Sequence, residues 1–314
     1  MSEPAIVLCP GQGSQAVGMG RAWADASSDA RATFELADKL LAGQLGAPLS
    51  ALCFDGPSET LNRTDVSQPA IYVCSIAAWK GMAQLADGNA PSLKATAGLS
   101  LGEYTALHLA GVLSFEDGLK LVTLRGRAMQ DAAESTPGGM LALIGCDEDH
   151  ANEVCEKARQ GGVLVCANFN APGQVVLSGD AEAIARAEGA AKDSGLRATP
   201  LPVAGAFHSP LMDPAADRLA EALAAAPIHA HALAACPVYS NVTARPHEDD
   251  ADSIRRRLAE QLTHPVRWAQ GCLNMVAAGL GQGASWHELA PGKGLAGMMK
   301  RIDRSVAVTT HDTP

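Results

Sequence analysis

An α/β fold, a parallel-sheet core carrying a smaller inserted subdomain, is predicted by three observations. Short apolar runs end in glycine-bearing turns and lead into alanine-rich amphipathic stretches. The middle of the chain reads β-α-β-β-α-β. Aromatic residues make up only 4% of the 314 residues, which favours Ala- and Leu-rich helices packed on a sheet over an all-β design.

The elements follow in order. Ala5 to Cys9 reads as a strand ending in the turn Pro10-Gly11-Gln12-Gly13-Ser14-Gln15. Helical patterns run from Gly20 to about Leu41 and from Gln68 to about Leu85, and a buried strand is expected from Leu93 to Ala97. A glycine-bounded turn then opens a helix from Glu103 to Leu109, and another spans about Phe115 to Ala133. In the middle, strands are expected at Met140–Gly145, Val163–Asn168, Gln174–Ser178 and Leu196–Val203, with helices at Asp149–Arg159 and Ala181–Asp193. That order is the ferredoxin-like split-βαβ unit. The expected division is a large α/β part, residues 1–135 and 205–314, and a small subdomain, residues 136–204, with a ligand cleft between them. The last residues read as a frayed, solvated tail.

Composition excludes several functions. A net charge of −10 and the absence of a basic stripe argue against nucleic acid as a partner. The eight Cys are scattered and form no C-x-x-C, so reduced core thiols are expected rather than a metal site or disulfides. The start shows no basic segment before an apolar one, and no apolar run reaches membrane-spanning length. A soluble, cytoplasmic protein is the expectation.

The strongest chemical signal is Gly98-Leu99-Ser100-Leu101-Gly102, a G-x-S-x-G between a strand and a helix. Small residues on both sides let a serine sit on a strained strand-to-helix turn, as in α/β-hydrolase-like cores, with free helix N–H groups aimed at developing negative charge. Ser100 is therefore the candidate nucleophile. Gly11-Gln12-Gly13-Ser14-Gln15-Ala16 fits a dinucleotide fingerprint, G-x-G-x-x-A. That use requires a second strand ending in an acid about twenty residues later. Here that stretch is helical, so NAD(P) binding is rejected. The loop instead brings Gln12 and its backbone N–H groups towards a strand end, where an oxyanion-hole component belongs.

A serine needs a base, and the chain has nine His. His229, His231, His247 (beside the acidic run Glu248-Asp249-Asp250) and His311 read as solvated, and His108 and His150 as helical. His208, His264 and His287 remain. His208 lies on a loop at a strand end, while His287 is late in the chain, where an ordinary hydrolase places its base. The residues alone leave these two open. Arg125 lies on a helix rich in Leu119, Leu121, Val122, Leu124 and Met129, where a buried cation would need a partner; a surface position near the helix end is the alternative.

With these motifs in view, the chain resembles the malonyl-CoA:acyl carrier protein transacylases over nearly its whole length. The resemblance rests on Pro10 to Gln15, Gly98 to Tyr104, Arg125-Gly126-Arg127-Ala128-Met129-Gln130 and Asn168 to Gln174. It continues in Gly205-Ala206-Phe207-His208-Ser209-Pro210-Leu211-Met212, Gln261 to Trp268 and Pro291-Gly292-Lys293. It implies Ser100 as nucleophile and His208 as general base, with the backbone carbonyl of Gln261 orienting the imidazole. It further implies an oxyanion hole from the N–H groups of Gln12 and Leu101, and Arg125 as the fork that takes a malonyl carboxylate. Phe207 matches the pattern of members that exclude α-methyl substrates. Most bacterial members have His before the serine; this chain has Leu99.

The implied reaction is a ping-pong transfer from malonyl-CoA to the phosphopantetheine thiol of acyl carrier protein, with no metal or organic cofactor and CoA as co-substrate. A monomer is expected. Lys293, Lys300, Arg301, Arg304, Lys192 and Arg197 are candidates for meeting an acidic carrier. Two other readings predict different outcomes. A serine thioesterase would use His287 and water, and a non-catalytic docking protein of the same fold would form no acyl-serine.

Overall fold

The computed structural model describes residues 3–87, 89 and 91–314. It contains a parallel sheet and a separate antiparallel sheet. Among the described residues nine strands are formed: β1 (Ala5–Cys9), β2 (Leu93–Gly98), β3 (Gly138–Ile144), β4 (Leu164–Ala171), β5 (Gln174–Asp180), β6 (Arg197–Pro200), β7 (Val238–Tyr239), β8 (Ser285–Leu289) and β9 (Val308–His311).

The first sheet has the order β7-β2-β1-β8-β9, and every neighbouring pair is parallel. Its central strand β1 is wholly apolar and buried along its length, because helices cover both faces. The second sheet has the order β4-β5-β3-β6 and is antiparallel throughout. The helices Glu148–Arg159 and Ala181–Asp193 bury Ala151, Val154, Ala158, Ala183, Ala187 and Ala191 in a core of its own. The antiparallel sheet is tied by backbone bonds to the segment before the helix Trp268–Ala277: Phe169 N–H donates to the Val266 carbonyl at 2.9 Å, and Val266 N–H to the Ala167 carbonyl at 2.8 Å.

Two expected elements differ. The helical pattern from Gly20 to Leu41 is broken at Ser27 into Arg21–Ala26 and Ser28–Leu40, because the Ser27 side chain accepts from Ala30 N–H and caps the second helix. The chain end is not frayed: β9 extends the parallel sheet beside β8, and the His311 carbonyl accepts from Trp23 Nε1 at 2.9 Å.

The long helices Thr64–Leu85 and Phe115–Ser135 pack against the parallel sheet and each other. Their close approach depends on Gly126, where a Cβ would lie 2.7 Å from the Thr64 carbonyl oxygen. A glycine inside a helix costs about 1 kcal/mol relative to alanine. Here it lets Arg125, the neighbouring residue, reach Gln68 across the helix pair, with Nη1 donating to Oε1 at 2.7 Å.

Candidate active site

The site is assembled where β2 gives way to the helix Gly102–Leu109. A Cβ on Gly98 would stand 1.9 Å from the Gly102 carbonyl, and one on Gly102 would stand 2.1 Å from the Cys9 carbonyl oxygen. Only glycine fits either place, so the chain turns tightly enough to leave Ser100 at φ 53°, a left-handed conformation that costs an L-residue about 1–2 kcal/mol. The strain is held from one side by Asn241. Its Oδ1 accepts Ser100 N–H at 2.6 Å, and its Nδ2 donates to the Gly98 carbonyl at 2.7 Å.

His208 lies in the loop after β6, at φ 58°. Its Nδ1 is 2.7 Å from the Gln261 carbonyl oxygen, an acceptor only, so Nδ1 carries the proton. Nε2 is thereby free to accept from Ser100 Oγ at 2.9 Å. Burial first, and the Arg125 cation second, push the imidazole down to about 4, against the opposing pull of the Gln261 carbonyl. Near neutral pH it is an uncharged acceptor beside a hydroxyl.

Arg125 is 1% exposed. Its Nη2 donates to Ser100 Oγ at 3.1 Å and to Gln261 Oε1 at 2.9 Å, and its guanidinium sits 5.7 Å from the Tyr104 ring centroid. Burial lowers its pKa. Among the described residues it makes no salt bridge: its hydrogen-bonded partners are Gln68, Gln261 and Ser100, all neutral. A buried cation held only by neutral oxygens retains strong affinity for an anion.

The N–H groups of Gln12 and Leu101 make no hydrogen bond to the described residues. The Gln12 side chain is anchored to Thr64 Oγ1 at 3.3 Å. Phe207 is buried in the main core next to His208. A cavity of about 620 Å³ opens beside the turn, with Gln12 and Leu99 on one side and Asn170, Gln174 and Val203, from the second sheet and its exit, on the other.

The other histidine left open by the sequence is placed elsewhere. His287 lies in β8 with both ring nitrogens occupied, Nε2 on Ser285 Oγ at 2.7 Å and Nδ1 on His311 Nε2 at 2.8 Å. His264 is exposed and bonded to its own turn. Two histidines expected to be solvated are not. His311 stacks on His287 with ring centroids 5.1 Å apart, because β9 pairs with β8. His247 is buried against Glu103 at 2.6 Å, since the bridge between Tyr239 and Pro246 folds it inward, away from its acidic neighbours in sequence. Asn241, Gln68 and the buried side chain of Glu103 were not foreseen as parts of the site. Asn241 and Gln68 reach the site across the fold, while Glu103 stands three residues after Ser100 and only its burial and its distant partners escape the local sequence.

Comparison with known proteins places this geometry in a family. Residues 6–289 match the family described as acyl transferase domain. The malonyl CoA-acyl carrier protein transacylase of Escherichia coli K12 is 40% identical over 318 residues, covering 100% of this chain and 97% of the relative. The solved malonyl CoA-acyl carrier protein transacylase of Coxiella burnetii superposes with a TM-score of 0.91 at 37% identity, covering 100% of this chain and 95% of that one. A malonyl-transacylase solved in complex with its type II polyketide acyl-carrier protein gives 0.89 at 39% identity, covering 100% and 97%. The chain belongs to the acyl transferase family and, within it, to the malonyl-CoA:acyl carrier protein transacylases.

Proposed function

We propose that the protein transfers the malonyl group of malonyl-CoA to the phosphopantetheine thiol of an acyl carrier protein through a malonyl ester on Ser100. The observation that carries this reading is Arg125, a buried guanidinium without an acidic hydrogen-bond partner, one hydrogen bond from the serine hydroxyl. The free carboxylate of a malonyl group supplies the anion that the fork lacks.

In the proposed cycle His208 Nε2 takes the Ser100 proton as Oγ attacks the thioester carbonyl. The developing oxyanion is met by the N–H groups of Gln12, in the turn after β1, and of Leu101, at the N-terminus of the helix Gly102–Leu109. The C–S bond breaks, and the departing CoA sulfur takes the proton from His208. The carrier thiol then gives its proton to His208 and attacks the ester, and Ser100 recovers the proton as it leaves. Gln261 keeps the imidazole in the productive tautomer with a neutral carbonyl, where hydrolases use a carboxylate. Phe207 narrows the space beside His208 against α-branched acyl groups. A thioester-to-ester-to-thioester exchange is nearly balanced, so the reaction is reversible and calls for no metal or organic cofactor; CoA is a co-substrate.

The parallel sheet is read as an α/β-hydrolase-like core formed by residues 1–135 and 205–314, with residues 136–204 as a ferredoxin-like subdomain closing the cleft. A monomer is proposed, and a cytoplasmic location is proposed on the eight buried cysteines without a disulfide; among the described residues no helix is long and apolar enough to cross a membrane. Lys293, which lines the cleft, is the best-placed of the basic residues to meet an acidic carrier.

The test is incubation with malonyl-CoA followed by intact-mass measurement, then a chase with carrier protein bearing its thiol. A malonyl adduct on Ser100 that moves to the carrier is the expected result. An adduct lost to water at the same rate with and without carrier would instead identify a hydrolase, and no adduct would identify a docking protein.

A further inference from the structure

The proposed cycle uses Gln261 through its backbone and leaves a buried carboxylate without a task. Glu103 is fully buried in the first turn of the helix that follows Ser100. Its Oε1 accepts from His247 Nε2 at 2.6 Å. Its Oε2 accepts from Gln261 Nε2 at 2.6 Å and from Asn241 N–H at 3.1 Å. The side chains of Glu103 and His247 are each 1% exposed, so solvent screens this pair little.

A carboxylate only accepts, and that dictates the direction of each bond. The NH₂ of Gln261 is turned towards Glu103 and the Ser100 carbonyl, the latter at 3.1 Å. Its carbonyl oxygen is therefore turned towards Arg125 Nη2, at 2.9 Å. With the amide reversed, two donors would face each other across that gap and the guanidinium would lose one of its acceptors. Asn241, held through its backbone N–H by the same carboxylate, is the residue that braces the strained Ser100 turn.

We infer that Glu103, held by His247, is a positioning residue that fixes the direction of the Gln261 amide and through it the aim of Arg125 at the substrate's free carboxylate. This rests on the malonyl-transfer reading above. The other wholly buried glutamate, Glu288, is satisfied by backbone, the N–H groups of Leu295 and Ala296 at 2.8 and 2.7 Å. The Glu103 donors are instead two residues that touch Ser100, His208 or Arg125, and one histidine. His247 Nδ1 has no partner among the described residues, so the bond to Glu103 is the only hydrogen bond its ring makes there.

The experiment compares kcat/KM for malonyl-CoA and acetyl-CoA in wild type, Glu103→Gln, His247→Gln and His247→Phe, with thermal unfolding alongside. Acetyl has no carboxylate, so the malonyl-to-acetyl ratio reads the aim of Arg125 and not general damage. Glu103→Gln keeps the shape but presents a donor to one of three donors, and is expected to lower the ratio about tenfold, the scale of one charge-assisted hydrogen bond. His247→Gln, which still offers a donor to Glu103, should hold the ratio within about twofold, while His247→Phe should lower it several-fold. Equal losses with both thioesters, or no loss, in Glu103→Gln would overturn the inference. If that variant does not fold, equal ratios in the two His247 variants would overturn it. A wild type that forms no malonyl-serine defeats the functional reading itself; a wild type that forms it, with an unmoved ratio in the variants, defeats only the role of Glu103.

Discussion

His208 and the pair His287–His311 lie in different parts of this molecule, and both places push histidine towards the neutral form by burial. His208 and His311 each fall to about 4, and His287 is lowered as well. What separates them is the partners. His208 has one nitrogen fixed by a carbonyl and the other turned to a hydroxyl on a strained turn. His287 spends both nitrogens on Ser285 and His311 inside the edge of the sheet. A depressed pKa and a serine partner are therefore common to a proposed base and to a packing histidine, and what distinguishes them is the serine each meets: Ser100 stands on a strained turn beside Arg125, while Ser285 lies two residues away in the same strand.

The experiments that test this contrast run from large effects to small. Ser100→Ala should abolish the malonyl adduct in intact mass and reduce transfer by about 10⁴-fold or more; residual adduct elsewhere would move the nucleophile. His208→Ala should cost about 10²–10⁴-fold in transfer, and a variant with near wild-type turnover would erase the distinction drawn here. Arg125→Ala is expected to weaken malonyl transfer by about 2–5 kcal/mol of transition-state binding, with a much smaller loss for acetyl-CoA. Equal losses in steady-state assays would remove its carboxylate role.

The pH dependence sharpens the contrast further. Because the folded pKa of His208 lies below its ordinary value, the base stays neutral until the pH falls to about 4. The kcat/KM profile for malonyl-CoA should then be flat through pH 6.5 and lose activity only as pH falls through about 4. An acid limb at 6.5 would mean a solvated base. His287→Ala sits at the bottom of the scale, with transfer expected to stay within about twofold of wild type; a loss comparable to that of His208→Ala would exchange their roles.

Much of the fold was legible locally. The strand before Ser100, the helix after it and the β-α-β-β-α-β order of the middle all announce themselves through periodicity and turn residues, which are short-range signals. His247 and His311 were misread for the opposite reason. Their neighbours in sequence are polar, and what buries them is a bridge and a strand pairing with distant residues. Gln68 and Asn241 were invisible for the same cause.

By itself the sequence determined the turn that exposes Ser100, because Gly98 and Gly102 are written next to it and no other residue type tolerates those approaches. It also supplied the resemblance that ranks His208 above His287. Tertiary structure alone decided that Arg125 is buried without an acidic hydrogen-bond partner, that His287 is spent on packing, and that Glu103 faces three donors drawn from residues 138 to 158 positions away. Hydrogen-bond direction and burial depend on which atoms meet in space, and local residue patterns do not encode those meetings across such separations.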